Sequence, residues 1–229
     1  MIPLHDDNPT STFPYVTIGI IVVCALVFLW ERSLGPAYEM AIYAYGAIPA
    51  VVVGGKSLPP QVDMIPAWST IFTSMFMHGG WMHIIGNMLY LWIFGNNVED
   101  AMGHKRFVVF YLVCGVLAFL AHAMTNINSE VPTVGASGAI SGVLGAYLLL
   151  HPHARVLVLI PLGFFLYTTR FPAAVVLVLW FGLQLLSSAM TPAGQGGVAF
   201  GAHIGGFVAG MALIPFFKYK NVRLFTQRR

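Results

Sequence analysis

The stretch GASGAISGVLGAYLLL, Gly135 to Leu150, carries no charged side chain and sets Gly138, Gly142 and Gly145 at helical spacing after Ser137. A second uncharged stretch, GAHIGGFVAG from Gly201 to Gly210, repeats the device with Gly206 and Gly210 after His203. Small residues four apart on an apolar helix let two membrane helices approach backbone to backbone. If these two faces pack on each other, Ser137 and His203 come within reach of one another.

Composition agrees with a membrane setting. Of 229 residues, 58% are apolar and 8% charged, with a mean hydropathy of +0.78. A water-soluble domain carries about 25% charged residues, so much of this surface faces a lipid bilayer. The same deficit excludes disorder, collagen, a coiled coil and a basic nucleic-acid-binding domain. Cys24 and Cys114 sit inside apolar runs, where a thiol behaves as a small hydrophobe; neither a disulfide framework nor a cysteine metal site is indicated. The first apolar run follows His5, Asp6 and Asp7 instead of Lys or Arg, and no small-x-small cleavage site follows Trp30. It reads as a helix of the mature protein, not a signal peptide.

A span needs roughly 20 mostly apolar residues, and about six stretches qualify: Tyr15 to Trp30, His83 to Gly95, Phe107 to Met124, Ser137 to Leu150, Pro172 to Ala189 and Gly201 to Phe217. The second and fourth are short, so each extends into its flank or is enclosed by other helices. The fold class read here is all-α, a single membrane domain over 1–229 with its core at about 14–217. The long first connection, Glu31 to Met77, is rich in Gly, Pro and aromatics and lies partly in the membrane interface. RVLVLIPLGFFLYTTR, Arg155 to Arg170, is broken by Pro161 and Gly163 and reads as interfacial, a seventh span being the alternative. With a cytoplasmic N-terminus, inner segments hold Lys105, Arg106, Arg155, Arg170, Lys218, Lys220, Arg223, Arg228 and Arg229, and outer loops hold Arg32 and Lys56. Nine against two places both termini inside.

Polar side chains at membrane depth are costly and mark function. His83, Asn87, Ser137 and His203 stand out. In this topology the second, fourth and sixth helices run from outside to inside, and His83, Ser137 and His203 each sit near the outer start of one. Asn87 lies one turn below His83 on the same face. A serine hydroxyl becomes a useful nucleophile when a neighbouring histidine takes its proton. His83, Asn87 and the Ser137 backbone N–H are suitable donors to the oxyanion formed on attack. No Asp or Glu lies near these groups in the three helices, which leaves a Ser–His dyad.

These residues lie in HGGWMHIIGNMLYLWIFGNNVEDAMG (His78 to Gly103), GASGAISG (Gly135 to Gly142) and GAHIGGFVAG (Gly201 to Gly210). The ordered set resembles the rhomboid family of intramembrane serine proteases over about His78 to Gly210. The resemblance implies a six-helix fold without cofactor, Ser137 as nucleophile, His203 as base, and His83 and Asn87 in the oxyanion hole. It also implies single-pass membrane proteins as substrates, cut in or just outside the membrane near small residues, with lateral access between the second and fifth helices. Two positions depart from the family pattern. Trp68 is followed by Ser69 where many members have Arg, and Ser141 stands where some place a Tyr that stacks on the catalytic His. The departures bear on the packing of the first loop and the orientation of His203.

Other polar residues read more plainly. His78 and His83 are five apart, about 140° around a helix, and no Cys or carboxylate completes a zinc site; His78 is expected in a loop near the outer surface. His122 is expected as a structural hydrogen-bond partner, and His104, His151 and His153 as solvated loop residues. Glu99 and Asp100, on the inner side, are expected to pair with or cap groups near Lys105 and Arg106. GASGA is not the soluble hydrolases' G-x-S-x-G elbow, since Ala139 replaces the last Gly and no strand precedes it. The expected activity is that of a serine endopeptidase in a bacterial plasma membrane, its site opening to the outer face, with neither metal nor nucleic acid. The alternative is a catalytically silent rhomboid-like protein that binds membrane clients; a transporter ranks third, because no acidic residue lies in a span.

Overall fold

The six apolar runs fold as helices within a few residues of their expected bounds, except that the second extends well past Gly95. In the computed structural model, which describes residues 1–163, 165–190 and 199–225, they are α1 (Tyr15–Ser33), α5 (Trp81–Met102), α6 (His104–Thr125), α7 (Ser137–Leu150), α8 (Ala173–Met190) and α9 (Phe200–Phe217). Arg228 and Arg229 of the inner basic set lie outside the described residues. Four of the helices, α1, α6, α8 and α9, are long and apolar enough to cross a membrane. Helix α5 carries Asn87, Asn96, Asn97, Glu99 and Asp100, and α7 has 14 residues, about 21 Å of helix against about 30 Å of hydrocarbon.

The short α7 is enclosed by the other helices. Every residue from Gly138 to Tyr147 is buried, and Phe94, Phe107, Phe110, Tyr111, Leu144 and Tyr147 are each under 2% exposed around it. Lipid is as apolar as this core, so cohesion rests on close van der Waals contact instead of water exclusion. That explains the glycines. A Cβ on Gly206 would overlap the Gly138 carbonyl, one on Gly210 the Gly142 carbonyl, and one on Gly145 the Phe207 carbonyl. The α7 and α9 backbones touch.

The start of α1 is tied to the end of α5 by carboxylates. Pro14, at the N-cap of α1, supplies no side-chain cap. Glu99 of α5 does so from across the fold: it accepts from Val16 N (2.9 Å), Thr17 N (2.8 Å) and Thr17 Oγ1 (2.7 Å), and pairs with His104 Nδ1 (2.6 Å). Negative charge at a helix N-terminus satisfies orphan N–H groups and the helix dipole together. Asp100 accepts from the backbone and hydroxyl groups of Ser11 and Thr12. The expectation that these acids serve groups near Lys105 and Arg106 holds for Glu99, through His104, and is corrected for Asp100, which is committed to the segment before α1. The chain reverses at Gly103 (φ +81°), between α5 and α6.

All-α needs one amendment. Strands β1 (Ile2–Asp6), β2 (Arg155–Leu162) and β3 (Phe165–Pro172) form an antiparallel sheet in that order. The segment read as interfacial, or alternatively as a seventh span, is this β2–β3 hairpin. Its branched and aromatic residues favour strands, and Gly163 (φ +62°) supplies the reversal. Val156 and Val158 of β2 are fully buried. The Tyr147 hydroxyl donates to Asp6 Oδ2 at 2.5 Å, joining sheet to α7.

The first connection forms the short helices α2 (Tyr38–Tyr45), α3 (Pro49–Val52) and α4 (Thr70–Thr73). It is pinned without the family's Arg. Ser69 Oγ donates to Pro66 O (2.6 Å) and Thr73 Oγ1 to Tyr45 O (2.6 Å), while Ala47 exchanges backbone hydrogen bonds with Thr133 of the loop before α7. Lys56 pairs with Glu130 across the same junction. His78 lies in a loop as expected, but not at the surface. It is 0% exposed, because its backbone N–H donates to the buried Glu31 carboxylate (3.2 Å) and its Nδ1 meets Phe76 O (3.2 Å).

Candidate active site

A cavity of about 620 Å³ opens among α5, α6, α7, α9 and the loops that precede α5 and α7, and its walls include His83, Asn87, His122, Ser137 and His203. All four residues singled out for chemistry therefore face one space. Ser137 is the first residue of α7, so its own N–H belongs to the unpaired first turn. Beside it, Gly135 has φ +125°. A Cβ there would lie 2.7 Å from His83 Nε2 and 3.6 Å from Ser137 Oγ, so the imidazole nitrogen and the hydroxyl flank one glycine.

The His83 ring is oriented by its own loop. Gly79 N–H donates to His83 Nδ1 (3.3 Å), which leaves the neutral ring its proton on Nε2, the nitrogen facing Gly135. Asn87 Nδ2 is buried and has no hydrogen-bond partner. His122 lines the same cavity, with Nδ1 buried and unpartnered while its carbonyl accepts from Thr125 and Asn126. Its imidazole is thus not the structural hydrogen-bond partner expected of it. A buried polar atom without a partner is costly and calls for explanation; here two such atoms face one cavity.

His203 enters from α9. Gly138 and Ala202, neighbours of Ser137 and His203, stand at van der Waals distance: a Cβ on Gly138 would be 3.8 Å from Ala202 Cβ. No hydrogen bond joins Ser137 Oγ to His203 among the described residues. Ser141 Oγ turns back to donate to Ser137 O (2.6 Å). The imidazole is held instead by α8: Nδ1 meets Gln184 Oε1 at 2.8 Å, and the Trp180 ring lies 5.9 Å from it at 34°. No carboxylate lines the cavity, and no group of three or more His, Cys, Asp or Glu suited to a metal occurs among the described residues.

Residues 66–220 match the model of the Rhomboid domain. The chain belongs to the rhomboid family. It is 31% identical to Rhomboid protease GluP of Bacillus subtilis (strain 168) over 209 residues, 91% of this chain and 36% of that protein. It is 30% identical to Rhomboid protein 1, mitochondrial, of Saccharomyces cerevisiae over 207 residues, 82% of this chain and 56% of that protein. RHOMBOID-like protein 5 of Arabidopsis thaliana is 29% identical over 153 residues, 66% and 46% of the two. This rhomboid thus spans 36% to 56% of these relatives' lengths. They come from a bacterium, a mitochondrion and a plant, so membership establishes an integral membrane protein without choosing the membrane.

Three residues of the rhomboid site escaped the sequence reading. Gly135 lay inside a quoted motif, but only its positive φ shows its task. Trp180 is one apolar aromatic among many. Gln184 was findable, since it is the one amide side chain in Ala173–Met190, and polarity at membrane depth is the signal that picked out the other four.

Proposed function

We propose that this rhomboid is an intramembrane serine endopeptidase acting on single-pass membrane proteins. The observation that carries the proposal is the common cavity: a serine at a helix start, a histidine on the adjoining helix, and His83 and the unpartnered Asn87 amide in the same walls. Ser137 Oγ attacks the scissile carbonyl as His203 Nε2 takes its proton. The Ser137 N–H, His83 Nε2–H and Asn87 Nδ2–H then receive the oxyanion, each worth about 2.7 to 4 kcal/mol in a water-poor site. His203 returns the proton to the leaving amine, and water admitted through the cavity hydrolyses the acyl-enzyme. The separation of Ser137 from His203 suits a resting enzyme, since catalytic hydrogen bonds tighten when substrate binds.

In this reading the chain is one membrane domain, about 14–217, with α1, α5, α6, α7, α8 and α9 as six spans and both termini on the cytoplasmic side. One buried cluster running from Ile20 to Ile214 supports the single domain. Substrate helices reach the site laterally between α5 and α8 and unwind locally, because a helical carbonyl is occupied by its i+4 hydrogen bond. The test is cleavage of a single-pass reporter in proteoliposomes by the parent, Ser137→Ala and His203→Ala. Cleavage by the parent alone supports the protease. An intact reporter in all three turns the assignment to the client-binding rhomboid.

A further inference from the structure

The side chain that orients the general base comes from a helix that carries neither catalytic residue. We infer that Gln184 is a positioning residue that fixes the tautomer of His203; this rests on the protease reading above. The hydrogen bond from His203 Nδ1 to Gln184 Oε1 is 2.8 Å long. An amide oxygen only accepts, so the shared proton sits on Nδ1 and the lone pair on Nε2. Nε2 is the nitrogen left to take a proton from Ser137. Were the amide reversed, its NH₂ would donate to Nδ1, the ring proton would move to Nε2, and the ring could not act as a base toward the serine.

Two further observations single out this bond. Ser141, at the position where a ring could have stacked on the base, is committed to Ser137 O at 2.6 Å and offers His203 nothing. Trp180, one turn before Gln184, packs tilted against the imidazole at 5.9 Å and 34°, while Phe200 meets it edge-on at 6.3 Å. The hydrogen bond to the base thus comes from α8, of whose apolar window only 17% is buried. The remaining titratable groups on the cavity walls facing His203 are His83 of α5 and His122 of α6. Neither is a carboxylate, so Gln184 occupies the orienting place that an acid holds in a Ser–His–Asp triad.

The test compares Gln184→Met, which keeps the shape and loses the acceptor, with Gln184→Glu, which keeps an acceptor, and Gln184→Lys, which has only donors. The readouts are the rate at which a fluorophosphonate labels Ser137 and the kcat and KM for a single-pass reporter. Gln184→Met and Gln184→Lys are expected to slow labelling about tenfold or more and to lower kcat at constant KM, with Gln184→Glu within about threefold of the parent. Labelling of Gln184→Met at the parent rate overturns the proposal, as does Gln184→Glu falling as low as Gln184→Met. Nitrogen NMR of the parent, with the His203 resonance assigned by its loss in His203→Asn, gives a check that needs no folded Gln184 variant. Protonation at Nδ1 is expected, and protonation at Nε2 overturns the assignment. Failure of the protease reading looks different: the parent itself then shows no Ser137-dependent labelling.

Discussion

His83 Nε2 occupies the space that a side chain on Gly135 would take, 2.7 Å from the position of its Cβ. The ring can face Ser137 only because residue 135 has no side chain, and φ of +125° there is a conformation that L-residues rarely adopt. Gly135→Ala is therefore expected to lose about 1 to 3 kcal/mol of stability and to push His83 off the serine. Fluorophosphonate labelling should fall at least about tenfold, and thermal unfolding in detergent separates the two effects. Unchanged labelling would mean that His83 does not need its present place.

The oxyanion assignment is tested at Asn87, whose amide nitrogen is buried without a partner. Asn87→Ala leaves no new orphan behind, so folding should be preserved. If the amide acts on the oxyanion, kcat on a single-pass reporter drops about 10²- to 10³-fold with KM little changed. A rise in KM alone would make Asn87 a substrate-binding group.

Glu99 is expected to matter for folding, not chemistry. Its carboxylate is 0% exposed and holds Val16, Thr17 and His104. Glu99→Ala strands those donors and should cost about 3 kcal/mol or more, read as a loss of unfolding temperature in detergent. Retained stability would contradict the cap.

The contact between α7 and α9 predicts an asymmetry between glycines. Gly206→Ala drives a methyl into the Gly138 carbonyl, so about 1 to 3 kcal/mol should be lost together with labelling of Ser137. Gly182 of α8 has nothing within 4 Å, and Gly182→Ala should be neutral or stabilising.

His151 was expected to be solvated but packs edge-on against Tyr147 at 5.3 Å, and burial lowers its imidazole from the ordinary 6.5 to about 4, against an opposing pull from Asp100. The unfolded chain therefore takes up this proton first, and stability is lost as pH falls from about 6.5 toward 4. The unfolding temperature should drop between pH 7 and pH 5, and less steeply in His151→Gln. Parallel profiles would show that the ring is not buried in solution.

Most of the fold could be read from the chain because helix length and hydropathy are local properties: the helix starts, from Tyr15 to Phe200, fall within two residues or so of expectation except at α6, which begins three residues early at His104. The sheet could not, since Ile2 to Asp6 becomes a strand only by pairing with β2, 150 residues away in sequence. Ser137, His203, His83 and Asn87 were visible as polar groups in apolar helices. The hold on His203 was not, because a missing Tyr at Ser141 says only that something else must orient the ring, and Trp180 and Gln184 reach it from a helix whose rotation no motif records. His78 was expected in a loop near the outer surface; it is in a loop, but buried, and its burial accompanies the approach of Glu31 from α1, a long-range contact that no local pattern announces.

Activation of Ser137 by His203, on which the proposed protease rests, is read by treating the purified protein in detergent with a fluorophosphonate and mapping the adduct by mass spectrometry. One phosphonyl group on Ser137 is expected in the parent, with none in Ser137→Ala and almost none in His203→Ala. An unmodified Ser137, or modification that persists when His203 is replaced, would contradict it.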